Sequence, residues 1–187
     1  MKILVRSSLC LCLTACALLA QGTPERWLTF TSSTGFSVKY PASWFPKGTA
    51  KDRLMILSSR GGAEALIIQG GQAVITVRQA DRNEGSSLTQ IIDYYNQNVD
   101  VLLRQDIRNE NPGSRGCREL REIESKEAAV PPEDVPGPVP YIVNTDYFCE
   151  VNKHVYVTVL RNFYGDNKQS AYQKIALRIA ESLRSLN

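Results

Sequence analysis

The sequence predicts an α+β fold, an α/β/α sandwich in which two helices cover opposite faces of a mostly antiparallel central sheet. Short segments in the first half of the chain alternate apolar and polar residues, as strands do. A helical pattern follows them, and a second one closes the chain. A long hairpin is predicted between the two helices. Each amphipathic helix has to bury its apolar stripe, and a sheet between them offers one face to each.

The strand pattern is clearest in the segment around which the early sheet is organised. Pro41 ends this strand because proline has no N–H to donate to a ladder. Trp44 and Phe45 follow and are expected at the edge of the core. The apolar side chains that alternate with Ser and Lys in the strand are Phe36, Val38 and Tyr40.

Further strands are predicted where apolar runs are bounded by turn residues, at 27–30, 54–57 and 73–78. The hairpin pairs residues 141–151 with residues 154–163. Asn152 and Lys153 form its two-residue turn, since Asn tolerates positive φ.

The first helix is predicted to begin after Ser87, which forms a capping box with Gln90. The second is predicted from about Ser170. The apolar face of the first comprises Leu88, Ile91, Ile92, Tyr95, Val99, Leu102 and Leu103. The apolar face of the second comprises Tyr172, Ile175, Ala176, Ile179, Leu183 and Leu186.

Residues 126–140 predict a loop with an extended, polyproline-like path, because prolines are dense there and cannot pair in a ladder. This loop is a candidate partner segment, although a stiffened hairpin connection is the interpretation that we favour. The candidate residues are Val130, Pro131, Pro132, Pro136, Pro138 and Pro140.

The N-terminal residues predict a secretory signal peptide over 1–22, followed by a single domain over 23–187. Lys2 and Arg6 precede an apolar run that is too short to span a membrane, and no later run approaches transmembrane length. The expected location is therefore extracytoplasmic, either periplasmic or secreted. Without residues 1–20 the chain has 20 basic and 19 acidic residues, a net charge of +1, which predicts no nucleic-acid partner.

Two processing routes remain open. Residues 13–16 read Leu-Thr-Ala-Cys, which matches a bacterial lipobox with Cys16 as the lipidated residue. Residues 20–22, Ala-Gln-Gly, fit an ordinary signal peptidase instead. The apolar run continues past Cys16, and this favours simple secretion.

Cys117 and Cys149 are the cysteines left after processing, and an even pair in an oxidising compartment predicts a disulfide. Two buried free thiols are the alternative. A metal site is not predicted, since His154 is the only histidine that could join them.

No sequence motif for catalysis or for a cofactor is present. The acidic pairs Glu122/Glu124 and Glu133/Asp134 are interpreted as solvated residues near loops, and the lone His154 as a solvated hairpin residue. An uncharacterised hydrolase stays a second alternative because the spatial separation of carboxylates is not visible in a sequence.

The pattern G-F-x-V-x-Y-P-x-x-W at residues 35–44, the mid-chain helix, the late hairpin and the terminal helix together resemble the PsbP/Mog1-like domain family, including PsbP-related, DUF1795-like bacterial exported proteins. The resemblance extends from Trp27 to Leu186 and implies an α/β/α sandwich. It also implies a strand at residues 117–125, where the residues alone leave strand and helix open. Family members are mostly non-enzymatic, so the expectation is an exported accessory or binding protein with a protein partner in the cell envelope and no cofactor. An envelope-anchored structural lipoprotein is the first alternative. The oligomeric state is left open.

Overall fold

The computed structural model describes residues 25–47, 54–59, 72–81, 83–128 and 141–186, and within these ranges the chain forms ten strands and two helices. In chain order they are β1 (Trp27–Thr31), β2 (Phe36–Pro41), β3 (Phe45–Lys47), β4 (Leu54–Ser58), β5 (Ala73–Gln79), α1 (Leu88–Asn98), β6 (Asp100–Arg108), β7 (Glu119–Ala128), β8 (Tyr141–Val151), β9 (His154–Phe163), α2 (Gln169–Glu181) and β10 (Arg184–Ser185).

A seven-stranded sheet forms the centre of the fold, with the strand order β3-β4-β5-β9-β8-β7-β6 and antiparallel pairing throughout. The predicted hairpin is confirmed as β8 and β9. Its two turn residues, Asn152 and Lys153, have φ values of 51° and 64°, as a two-residue hairpin turn requires. A smaller sheet, β1-β2-β10, joins the two ends of the domain and was not predicted from the sequence.

The two helices pack on opposite faces of the central sheet because successive side chains of each strand point to opposite sides. Helix α2 and the small sheet cover one face, where Phe36 packs edge-on against Tyr156 with ring centroids 5.7 Å apart. Helix α1 covers part of the other face through Ile91 and through Tyr95, whose ring lies 4.8 Å from that of Phe148. The predicted α+β sandwich with a mostly antiparallel sheet is confirmed.

Helix α1 is shorter than its apolar periodicity predicted, and the placement of Leu102 and Leu103 on its face was wrong. The helix ends at Asn98, whose side-chain amide donates to the Tyr94 carbonyl at 2.6 Å. Val99 is already extended, with φ −132° and ψ 151°. The residues that follow form β6 and pair with β7.

Two further apolar residues, one expected at the edge of the core and one on the apolar face of α2, are instead exposed. Phe45 opens the short strand β3 and is 55% exposed, since the alternation that buries Trp44 points its neighbour outward. Leu186 lies beyond the end of α2 and is 44% exposed, while Leu183 is buried.

The residues from 119 onward form β7, so the strand that the family resemblance implied at residues 117–125 is correct from residue 119.

Replacing the neighbouring aromatic residues separately tests this inside-outside assignment. We expect Trp44→Ala to lower the free energy of unfolding by roughly 3–5 kcal/mol, because its ring is 6% exposed and meets Tyr172 edge-on. The matched change Phe45→Ala should cost no more than about 0.5 kcal/mol. Urea denaturation of both variants provides the comparison. Equal losses would contradict the assignment.

Candidate functional site

The structure joins Cys117 and Cys149 through a disulfide, with their Cα atoms 5.8 Å apart and both side chains buried. Cys149 lies on the α2 side of the sheet, opposite Leu120 of β7. The possible lipidation site Cys16, the predicted signal peptide 1–22 and the candidate partner loop lie outside the described residues. The loop residues concerned are Val130, Pro131, Pro132, Pro136, Pro138 and Pro140. Among the described helices, none is long and apolar enough to cross a membrane.

His154, the only histidine, opens β9 and is half-buried rather than fully solvated. Its Nδ1 lies 3.0 Å from the side-chain amide of Gln79, and its ring approaches Tyr156. In the described part of the chain no three His, Cys, Asp or Glu side chains come together in a way that could hold a metal ion. His154 therefore contacts Gln79 and Tyr156 and belongs to no such metal-binding group among these residues.

Glu122 and Glu124 do not flank a loop, so that interpretation was wrong: both lie inside β7 on its α2 side. Glu122 is buried and accepts a hydrogen bond from the Gln105 amide of β6. The Glu124 carboxylate accepts from Gln173 of α2 at 2.8 Å, and its pKa is raised by burial and by the charge of Glu122. Burial and Glu122 also raise the pKa of Tyr147. The two carboxylates lie side by side on this face of β7, where Glu122 connects to β6 and Glu124 to α2.

A second, partly buried polar cluster lies on the α1 side of the sheet. The Arg78 guanidinium binds both carboxylate oxygens of Glu84, at 2.6 and 2.5 Å, and donates to the Tyr95 hydroxyl at 2.9 Å. Burial opposes the charge of Glu84, but the bond from Arg78 keeps its pKa lowered. Nearby Asp146 is 3% exposed. Burial raises its pKa to about 7, against the opposing charges of Arg78 and Arg161 and with a smaller contribution from Glu127.

The outermost strand β6 is the candidate functional surface, which we call the β6 edge and define as residues 100–108. Among the described strands it is hydrogen-bonded to β7 alone, so its other side is unpaired. Leu102 and Leu103 are 47% and 44% exposed. The register shifts between Val101 and Leu103, and this bulge presents the intervening Leu102 as an extra residue.

The register shows which backbone groups of the β6 edge are free. Asn109 donates from its backbone N–H to the Arg118 carbonyl at 2.9 Å, continuing the pairing in which Arg108 faces Glu119. Hydrogen-bonded and non-hydrogen-bonded pairs alternate along an antiparallel ladder. Odd-numbered residues from 103 to 109 therefore bond to β7, while the backbone N–H and C=O groups of Arg104, Asp106 and Arg108 point outward.

Charges alternate along the same edge. Arg104, Asp106 and Arg108 are exposed and share one face of β6. Asp106 accepts from Arg121 of β7 at 2.5 Å. A shallow depression of about 190 Å³ adjoins this pair, and its lining is largely charged: Asp106, Ile107, Arg108, Glu119 and Arg121. The arrangement can bind an extended polypeptide by strand addition, with charged side chains setting the register.

Sequence reasoning missed the β6 edge because the apolar period of α1 continued through Leu102 and Leu103. A signal against the longer helix was present. Residues 99–107 contain two valines and an isoleucine, and β-branched residues favour strands.

No protein-family model matches the chain, and no curated protein matches it. Among solved structures, the fold is similar to that of the Ran-binding protein Mog1p of Saccharomyces cerevisiae, with 10% identity and a TM-score of 0.48 over 88% of this chain and 97% of that one. It is also similar to PsbP (CyanoP) of Synechocystis, with 8% identity and a TM-score of 0.40 over 89% and 95% of the two chains.

A third similar structure is a protein from Bacteroides thetaiotaomicron, with 14% identity and a TM-score of 0.44 over 85% of this chain. The chain spans 48% of that protein's length. The PsbP/Mog1-like resemblance predicted from the sequence is a resemblance of fold. At TM-scores below 0.5 it carries no inference about activity or partner.

The raised pKa of Asp146 predicts that the free energy of unfolding depends on pH. The carboxyl has a pKa near 7 in the folded chain and 3.8 as its ordinary value, so at pH 5 the folded chain holds a proton that the unfolded chain has released. Lowering the pH through 7 therefore stabilises the fold, up to about 1.4 kcal/mol per pH unit, and the gain ends near the ordinary value. From pH 8 to pH 5 we expect the free energy of unfolding to rise by about 2–3 kcal/mol from this residue.

Asp146→Asn should remove most of that rise, and Asp93→Asn on the exposed side of α1 is the matched control. The raised pKa of Glu124 acts in the same direction, whereas the lowered pKa of Glu84 acts below this pH range. Urea denaturation at four pH values measures the slope. An unchanged slope in Asp146→Asn would show that this carboxyl is not its source.

Proposed function

We infer that this protein is an exported, non-enzymatic accessory protein that binds a protein partner through the β6 edge. The observation that carries the proposal is the unpaired edge itself, with outward backbone groups and two exposed leucines. Natural edge strands are usually short or covered, because an open row of N–H and C=O groups pairs readily with another chain. An edge of nine residues that keeps exposed leucines is suited to protein binding.

Export is supported by the targeting pattern of residues 1–22 and by the buried disulfide. Disulfides persist in oxidising compartments and are rare where thiols are kept reduced. Cys117 and Cys149 join the segment before β7 to β8, which puts the bond in the core rather than at a reactive surface. This position favours a structural role.

A binding role is favoured over catalysis by how the titratable side chains are used. Glu122 and Glu124 accept hydrogen bonds from amides on neighbouring elements, and Glu84 is held by Arg78. Glu122 is buried, and Glu84 and Glu124 are partly buried in these contacts. Exposed charged and apolar side chains lie on the β6 edge instead.

The exported form can be tested by intact mass after recovery from the native host. We expect the unlipidated chain from residue 23 onward, lighter than its reduced form by two hydrogen atoms. Replacing both cysteines by alanine should lower the free energy of unfolding by about 2–4 kcal/mol, since the bond restricts the unfolded chain. A lipid on Cys16 would favour the anchored lipoprotein, and free thiols at Cys117 and Cys149 would contradict the oxidised state.

The binding surface can be tested by photo-crosslinking in the native host. A photo-reactive amino acid at Leu102 should give a protein adduct, because this side chain is 47% exposed on the unpaired edge. The same amino acid at Lys174, exposed on α2, is the control and should give none. Adducts at both positions, or at neither, would contradict the β6 edge as the binding surface.

A further inference from the structure

We propose that the β6 edge binds a second copy of the chain, pairing antiparallel about a two-fold axis at Gln105 to continue the central sheet across both copies. This inference deepens the proposed function by naming an occupant for the same edge, and it rests on that function. A two-fold contact uses one surface twice, so the β6 edge has to be complementary to itself.

Backbone geometry limits the pairings that are possible. Strand addition has to join residues whose N–H and C=O groups point outward, and on β6 these are Arg104, Asp106 and Arg108. A two-fold axis at Gln105 places Arg104 opposite Asp106 of the second copy, so the hydrogen-bonded pairs beside the axis join outward residues. The overlap then covers residues 102–108 of each copy.

The charges select this register over its neighbours. With the axis at Gln105, each Arg104 faces an Asp106, and the two-fold axis makes the contact twice. Moving the axis to residue 104 places Arg104 against itself, and moving it to residue 106 places Asp106 against itself. Like charges directly opposite each other destabilise a strand pair. An axis at Ile107 also joins opposite charges, Asp106 and Arg108, but pairs little of β6 because the strand ends at Arg108.

Apolar contact on the other face of β6 agrees with the same register. Leu103 and Ile107 lie on the α2 side, as their partners Glu124 and Leu120 do. An axis at Gln105 places Leu103 opposite Ile107 of the second copy. The pairing thus covers a leucine that is 44% exposed in the single chain.

A charge-swap experiment tests both the dimer and its register. Sedimentation equilibrium of the purified mature protein should show a monomer–dimer equilibrium. R104E and D106R each place like charges across the axis twice, and each should raise the dimer Kd by about tenfold or more. The double variant R104E/D106R restores opposite charges and should return the Kd to near the wild-type value. K174E on α2 is the charge-matched control and should leave the Kd unchanged.

The outcomes separate this inference from the proposed function. A wild-type protein that stays monomeric up to millimolar concentration overturns the dimer. A double variant whose Kd stays raised overturns it as well. With an axis at Ile107, the arginine introduced by D106R would face Arg108, so the double variant would not restore the dimer. Circular dichroism and urea denaturation establish that each variant is folded. If the protein is monomeric while Leu102 still crosslinks to a different protein, the inference fails and the proposed function stands. A monomeric protein that also gives no crosslink at Leu102 overturns both the dimer and the proposed function.

Discussion

The constraint on which the structure depends is that both faces of one antiparallel sheet are used for packing. The hairpin of β8 and β9 lies at its centre and sends alternate side chains toward α1 and toward α2. Among the described strands, unpaired backbone groups are then left at the two ends of the sheet, β3 and β6. These ends differ. Strand β3 has three residues and contains Pro46, which removes a donor, whereas β6 has nine residues and no proline.

The buried polar residues show how a sheet of this width is held together between its apolar clusters. Each carboxylate meets donors from a different element: Glu122 from β6, Glu124 from α2 and Glu84 from β5. Removing one partner of such a contact leaves a buried group unsatisfied, which costs more than the contact contributes. These contacts favour one relative placement of helices and strands. At Asp146, burial disfavours the charged carboxylate and so raises its pKa.

The sequence allowed the fold class, the hairpin and both helices to be predicted because each has a local signal. The turn at Asn152 and Lys153 and the cap at Ser87 depend on residues close in the chain. The small sheet could not be predicted because Ser37 pairs with Arg184 from the far end of the chain. The β6 edge was missed because a helical period and a strand share the same leucines, and only the long-range pairing with β7 decides between them. The site therefore depends on tertiary structure to a greater degree than the fold does.

The disulfide and the β6 edge are connected through Asn109, the residue that follows β6. Its side-chain amide donates to the carbonyl of Cys117 at 2.8 Å and to that of Glu181 at 3.0 Å. The end of the edge strand is thereby fixed both to the disulfide-bonded segment and to the end of α2. A strand that binds another chain loses less conformational freedom on binding when its own backbone is already held in place. The disulfide-bonded segment thus also holds the end of the strand that we propose for binding.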